Sequence, residues 1–215
     1  ANRPDAMSVL GVARDLAARL SLPFTVPQPQ PVEAPAEHVD DVSIELVDPD
    51  LCGRFTARVL RGVQVGQSDP KVAHRLALAG MRPINSVVDA SNYVMLETGQ
   101  PNHAYDLAKL VGPGFRVRRA ASAETLVTLD DVERSLSSDD LLICDAADTP
   151  VGIAGVMGGA DTEIDSSTTD VVVEMAWFQP MSVARTARRL KLRSEASARF
   201  EKGTDPEVMD LAHAR

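Results

Sequence analysis

Two residues stand where chemistry could be done. In DVVVEMAWF (170–178), Glu174 follows three valines and precedes Met175, Ala176 and Trp177. A carboxylate in so apolar a strand either faces water by alternation or is held in a pocket where it recognises a donor. In QPNHAYD (100–106), His103 lies between a proline turn and a tyrosine, and it is one of only four histidines. An imidazole there could carry a proton, hold a ligand, or pack and hydrogen-bond within the fold. Spacing alone leaves both residues open.

Other constellations narrow the chemistry by failing. DTEIDSSTTDVV (161–172) starts like a calcium loop, but Ser166 and Val172 stand where the EF-hand needs glycine and glutamate. GIAGVMGG (152–159) is glycine-rich and follows a strand, yet it lacks the Walker lysine and the dinucleotide spacing. Its four glycines admit either tight turns or close approach of backbone to a ligand. No Ser-His-Asp, Cys-His or HExxH arrangement is visible. Cys52 and Cys144 are the only cysteines, which suits two buried thiols in a reducing compartment.

Charge adds one more feature. The chain has 215 residues and a formal net charge of -9. Within it, Arg185, Arg188, Arg189, Lys191, Arg193, Arg199 and Lys202 crowd into one stretch. A solvated helix face and a phosphate-contacting surface both fit such a run. Arg185, Arg188 and Arg189 are the best aligned on one helix face.

These residues need elements to hold them. Residues 6–20 carry Met7, Leu10, Ala13, Ala17 and Leu20 at helical spacing, and residues 21–40 hold five prolines and read as a connector. VSIELV (42–47) and RFTARVLRGVQV (54–65) read as strands, and PKVAHRLALAG (70–80) as a helix. INSVV (84–88) reads as a strand and DASNYVMLETG (89–99) as a short helix closed by Gly99. Short strands at 115–120, 124–131, 140–146, 150–156 and 168–178 follow, then a helix over 179–192 and a last one beyond 205. The order predicts an α+β fold: a mixed or antiparallel sheet core, with helices packed at the two ends as a layered sandwich. The expected organisation is an N-terminal helix and connector (1–40), a central domain (41–205), and the start of a C-terminal helix (206–215). No run approaches the ~20 apolar residues of a membrane span. The chain opens without methionine and stops inside DPEVMDLAHAR, so it is expected to be a segment of a longer protein.

Longer stretches carry a resemblance. NRPDAMSVLGVARDLA, RPINSVVDASNYVMLETGQPNHAYD, GIAGVMGG and VVVEMAWFQPMSVARTARRLKLRSEASARFEKGTDP occur in this order. Together they resemble the central module of the β subunit of bacterial phenylalanyl-tRNA synthetases. The resemblance implies an α+β editing domain that hydrolyses tyrosine wrongly esterified to tRNA(Phe). It implies site residues Arg82, Ser91, Asn92, His103 and Ser194 around the reacting ester. Glu174, Gly155, Met157, Gly158 and Ala196 would line the substrate pocket, and Arg185, Arg188, Arg189 and Arg193 would meet tRNA. It implies no metal and no cofactor in this segment, ATP and Mg2+ elsewhere in the parent ligase, a synthetase α subunit as partner in an α2β2 enzyme, and a cytoplasmic location. Members of the family often carry threonine where Ser91 and Ser194 stand here; serine keeps the hydroxyl and drops the methyl. A non-catalytic tRNA-binding or scaffold module is the alternative, and an unrelated enzyme binding an anion at the glycine loop is a second.

Overall fold

The computed structural model describes residues 2–33 and 42–215; the end of the connector and the expected boundary at 40/41 lie outside them. Helix α1 (Val9–Leu20) starts where the Ser8 hydroxyl accepts from the Gly11 amide and ends at Ser21 in the left-handed region. Of its expected inward face, only Ala17 is buried, and Leu20 is 55% exposed. The small residues Gly11 and Ala17, rather than the leucines, form its buried positions.

Two sheets follow. The first has five strands in the order β1 (Ser43–Leu46), β4 (Gly114–Arg119), β7 (Leu141–Asp145), β8 (Pro150–Ile153) and β9 (Met157–Gly158). Its β1–β4 pair is parallel and the rest are antiparallel, so the sheet is mixed. The second has three antiparallel strands, with β10 (Val171–Phe178) between β2 (Cys52–Leu60) and β3 (Asn102–Asp106). A small hairpin joins β5 (Thr125–Val127) to β6 (Glu133–Ser135).

The sheets meet face to face. Phe115 of β4 lies 5.4 Å from Phe55 of β2 and 5.2 Å from Tyr105 of β3, ring centroid to ring centroid. Along β10, Val172, Ala176 and Phe178 point into this shared core. The alternate residues Val171, Val173 and Met175 point the other way, into smaller clusters containing Val87 and Val94 of α3 (Ser86–Thr98) and Met209 and Ala212 of α6 (Met209–Ala214). Alternation therefore sorts one strand between two covered faces. The α+β expectation holds, with helices forming a layer on the outer face of the three-stranded sheet.

Three local readings are corrected. INSVV is not a strand: the Asn85 side chain accepts from the Val87 and Val88 amides and starts α3 at Ser86. That cap overrides the β-branched run. The β2 strand stops at Leu60, five residues short of the expected end at 65. An extra helix, α5 (Glu195–Phe200), follows α4 (Pro180–Leu190), and α2 spans Pro70–Leu78 as its Asp69–Pro70 start predicts.

Candidate active site between the two sheets

Glu174 and His103 face each other directly across the β10–β3 ladder, with Ala57 of β2 opposite on the other side. Residues paired in this way share a sheet face with Cβ atoms about 5 Å apart. That face is the one turned to the five-stranded sheet, because Val172 and Ala176 share it. Glu174 is only 6% exposed. Its Oε2 and the Nε2 of His103 are both buried without a hydrogen-bond partner.

Burial dominates the electrostatics here. Desolvation pushes the Glu174 carboxyl up to about 8, and among the described residues no cation offsets it. Desolvation lowers His103 to about 4. At neutral pH the pair is therefore an uncharged acid beside an uncharged imidazole. A neutral carboxyl can donate one hydrogen bond and accept others. Two orphaned polar atoms on one interior face are costly unless something pairs with them.

The glycine-rich segment divides by direction. A Cβ on Gly158 would stand 2.5 Å from His103 Nε2, so the imidazole lies flush against that backbone. Gly155 has φ +69, and a Cβ there would meet Val183, Phe178 and Phe200. A Cβ at that position would point into the core. Met157, half-buried on β9, pairs with Ile153.

Ser194 has a structural assignment. Its hydroxyl donates to the Val156 carbonyl at 2.7 Å and accepts from the Ser197 amide, while Ser197 Oγ accepts from the Ser194 amide. This reciprocal cap fastens α5 to the glycine segment. Ala196, on the same helix, packs partly buried on the main core. Ser194→Ala is expected to cost about 1–2 kcal/mol, read as a lower urea midpoint. An unchanged midpoint would mean that the cap carries no stability.

The remaining expected residues are less converged. Ser91 sits on α3 and its hydroxyl donates to the Asn102 carbonyl, while the Asn102 amide donates to the Ser91 carbonyl. It thus touches the residue preceding His103. Asn92 is half-buried and Arg82 is exposed in the loop before α3. Among the described residues no hydrogen bond ties either to His103 or Glu174. Two cavities of about 150 and 210 Å³ open elsewhere, the first between α1 and residues 204–211 and the second beside Val59 and Leu110.

The basic run also divides. Arg199 is 3% exposed and donates to Glu195 and to the Met7 carbonyl, so it is an internal tie. Arg189 is spent on the buried Asp140 and the Ser135 carbonyl. Arg185 and Arg188 stay exposed on α4, and Arg193 is exposed with Glu201 at 4.0 Å. Among the described residues no cluster of His, Cys, Asp and Glu could hold a metal ion.

Tyr105 escaped the sequence reading. It is two residues from His103, buried, and stacked edge-on against it at 4.5 Å. The His-Ala-Tyr alternation was the available signal, because it places both rings on one strand face.

The chain is 48% identical over 212 residues to the phenylalanine–tRNA ligase beta subunit of Carboxydothermus hydrogenoformans, covering 98% of this chain and 26% of that protein. It is 48% identical over 214 residues to the subunit of the same name from Moorella thermoacetica, again spanning 26% of the relative's length. A solved N-terminal fragment of the phenylalanyl-tRNA synthetase beta subunit from Pyrococcus horikoshii aligns over 87% of this chain and 58% of that one, at 15% identity and a TM-score of 0.48. Residues 51–215 match the B3/4 domain, so the chain belongs to the B3/4 domain family.

Proposed function

We propose that this domain hydrolyses tyrosine wrongly esterified to tRNA(Phe), within a phenylalanine–tRNA ligase β subunit. The observation that supports it most is the unpartnered Glu174 Oε2 facing the inter-sheet layer opposite His103. Tyrosine is phenylalanine with one hydroxyl added. An apolar synthetic pocket rejects an added hydroxyl by only about 10²-fold. A second site can use the hydroxyl as its admission mark. The phenol pairs with Glu174, whereas phenylalanine leaves that group buried and unpaired at a cost of roughly 1–3 kcal/mol.

In this reading His103 orients water or the terminal ribose, and no covalent nucleophile is needed for an activated ester. Ser91 and Ser194 contribute by fixing the backbone on either side, and Arg82 and Asn92 approach from the α3 side when the tRNA end is bound. Gly158 and Met157 bound the substrate, with Gly155 and Ala196 supporting them from behind. Residues 41–205 form the editing body, with 1–40 and 206–215 leading to neighbouring parts. Arg185, Arg188 and Arg193 are the exposed cations available to tRNA phosphates, with Arg189 beside them. The segment itself uses no cofactor; ATP, Mg2+ and the α subunit of an α2β2 cytoplasmic enzyme belong to the parent's synthetic reaction.

The test is deacylation of Tyr-tRNA(Phe) and Phe-tRNA(Phe), by the full enzyme and by this chain. Wild-type protein is expected to clear the tyrosyl ester and spare the phenylalanyl one. Glu174→Ala is expected to lose at least about tenfold of that preference. Tight tRNA binding with both esters left intact would instead establish the scaffold alternative, which the exposed Arg185 and Arg188 fit equally well.

A further inference from the structure

We propose that Tyr105 is a positioning residue for His103, holding the imidazole in the one orientation that turns Nε2 toward Gly158. This inference rests on the editing reading for its catalytic consequence. Its structural basis is independent of that reading.

Nothing else fixes the ring. Among the described residues the His103 side chain makes no hydrogen bond, and its Nε2 is buried without a partner. The outer torsion of histidine is intrinsically broad, so packing alone must choose its angle. Packing comes from two sides. Tyr105 meets the imidazole at 87° with ring centroids 4.5 Å apart, a favoured edge-to-face arrangement. Gly158 presents bare backbone to the other side.

Tyr105 can serve as a fixed wall because the opposite sheet seats it. It is 1% exposed, and its ring centroid lies 5.2 Å from that of Phe115 on β4. Its hydroxyl lies 3.5 Å from the place where a Gly152 Cβ would stand. Gly152 and Gly158 are register partners on β8 and β9. One glycine of that pair therefore receives Tyr105 and the other receives His103. The two rings of β3 dock side by side on two side-chain-free positions of the facing hairpin. The angle of His103 is thus set by the separation of the two sheets, transmitted through Tyr105. In this arrangement the aromatic ring holds His103, and the phenolic oxygen only reaches the space above Gly152.

The experiment compares wild type, Tyr105→Phe, which keeps the ring, and Tyr105→Met, which fills volume without one. Each is assayed in single-turnover hydrolysis of Tyr-tRNA(Phe) across substrate concentration, and by NMR of the His103 ring protons. Tyr105→Phe is expected to match wild type within about threefold, while Tyr105→Met loses about tenfold or more in the hydrolytic rate at a half-saturating concentration changed less than about threefold. The NMR expectation is one set of His103 ring signals, with Overhauser contacts to Gly158, in wild type and Tyr105→Phe, and loss of those contacts in Tyr105→Met. A folded Tyr105→Met protein with wild-type rate overturns the inference. So does a Tyr105→Phe protein as impaired as Tyr105→Met. Absence of the Gly158 contacts in wild type overturns it too, and that measurement needs no variant to fold. If wild type hydrolyses no Tyr-tRNA(Phe) while the NMR contacts behave as stated, the editing reading fails and the positioning role stands.

Discussion

Gly158→Ala is expected to slow hydrolysis about 10²-fold and spare the fold, and Gly155→Ala is expected to destabilise the domain strongly. The two glycines are three residues apart, yet their surroundings differ in kind. At Gly158 the atoms a Cβ would strike belong to the His103 ring, at 2.5 and 2.7 Å. A half-buried side chain can swing away, so the stability loss should stay near or below about 1 kcal/mol. The imidazole then no longer lies where it did, and a misplacement of about 1 Å at a reacting centre can cost on the order of 10²-fold in rate. At Gly155 the backbone has φ +69, and the contacts are Val183 at 2.9 Å with Phe178 and Phe200 at 3.1 Å. A β-carbon there adds left-handed backbone strain to overpacking, together about 2–4 kcal/mol. Urea melts and deacylation assays on both variants separate the effects. Full activity in a folded Gly158→Ala protein would place catalysis away from His103.

Glu174→Gln is expected to stabilise the domain increasingly as pH rises. The folded carboxyl titrates at about 8 against an ordinary value of 4.5, because burial disfavours its charge. Between those values the folded chain holds a proton that the unfolded chain has released. Wild-type stability from this group is therefore whole below 4.5 and is lost as pH climbs through 8. At ~1.4 kcal/mol per pH unit, the full loss is of order 5 kcal/mol. Glutamine cannot ionise, so the gain of the variant over wild type should grow from pH 5 and level off above 8. His103 has the opposite sign: its folded value of about 4 lies below 6.5, so its contribution is whole above 6.5 and fades as pH falls through 4. The two slopes oppose each other between roughly 4.5 and 6.5, leaving Glu174 alone to act between 6.5 and 8. Urea midpoints at pH 5, 7 and 9 test this. Parallel profiles for wild type and Glu174→Gln would mean that the carboxyl is already hydrated in the folded state.

The sequence made the strands legible where alternation or β-branched residues were dense, as in VVVEMAWF and LLICD. It hid β3, because NHAYD has few strand-forming residues and owes its place to pairing with β10. It misled at INSVV, where Val87 and Val88 suggest a strand and the Asn85 cap decides for a helix. It could not say which way Glu174 points. Val171 and Val172 are both fully buried, one on each face, so hydrophobicity carried no inside and outside. Nor could it tell which arginines of the basic run stay free, since Arg199 is fixed by a carbonyl nearly two hundred residues away at Met7.

The two-faced burial of β10 also limits which changes of length the gene can tolerate. Its even-numbered residues look toward the candidate site and its odd-numbered ones toward the helices. Deleting or inserting one residue ahead of Glu174 would exchange the two sets at a stroke: an insertion moves the carboxyl into the place of Met175, among Val94, Met209 and Ala212, and a deletion brings Met175 into the place of Glu174, opposite His103. Point substitutions along this strand can be absorbed singly, but single-codon insertions and deletions cannot. Variation in length among related chains should therefore fall in the turn at 161–169 and in the linker segments, and spare 171–178 altogether.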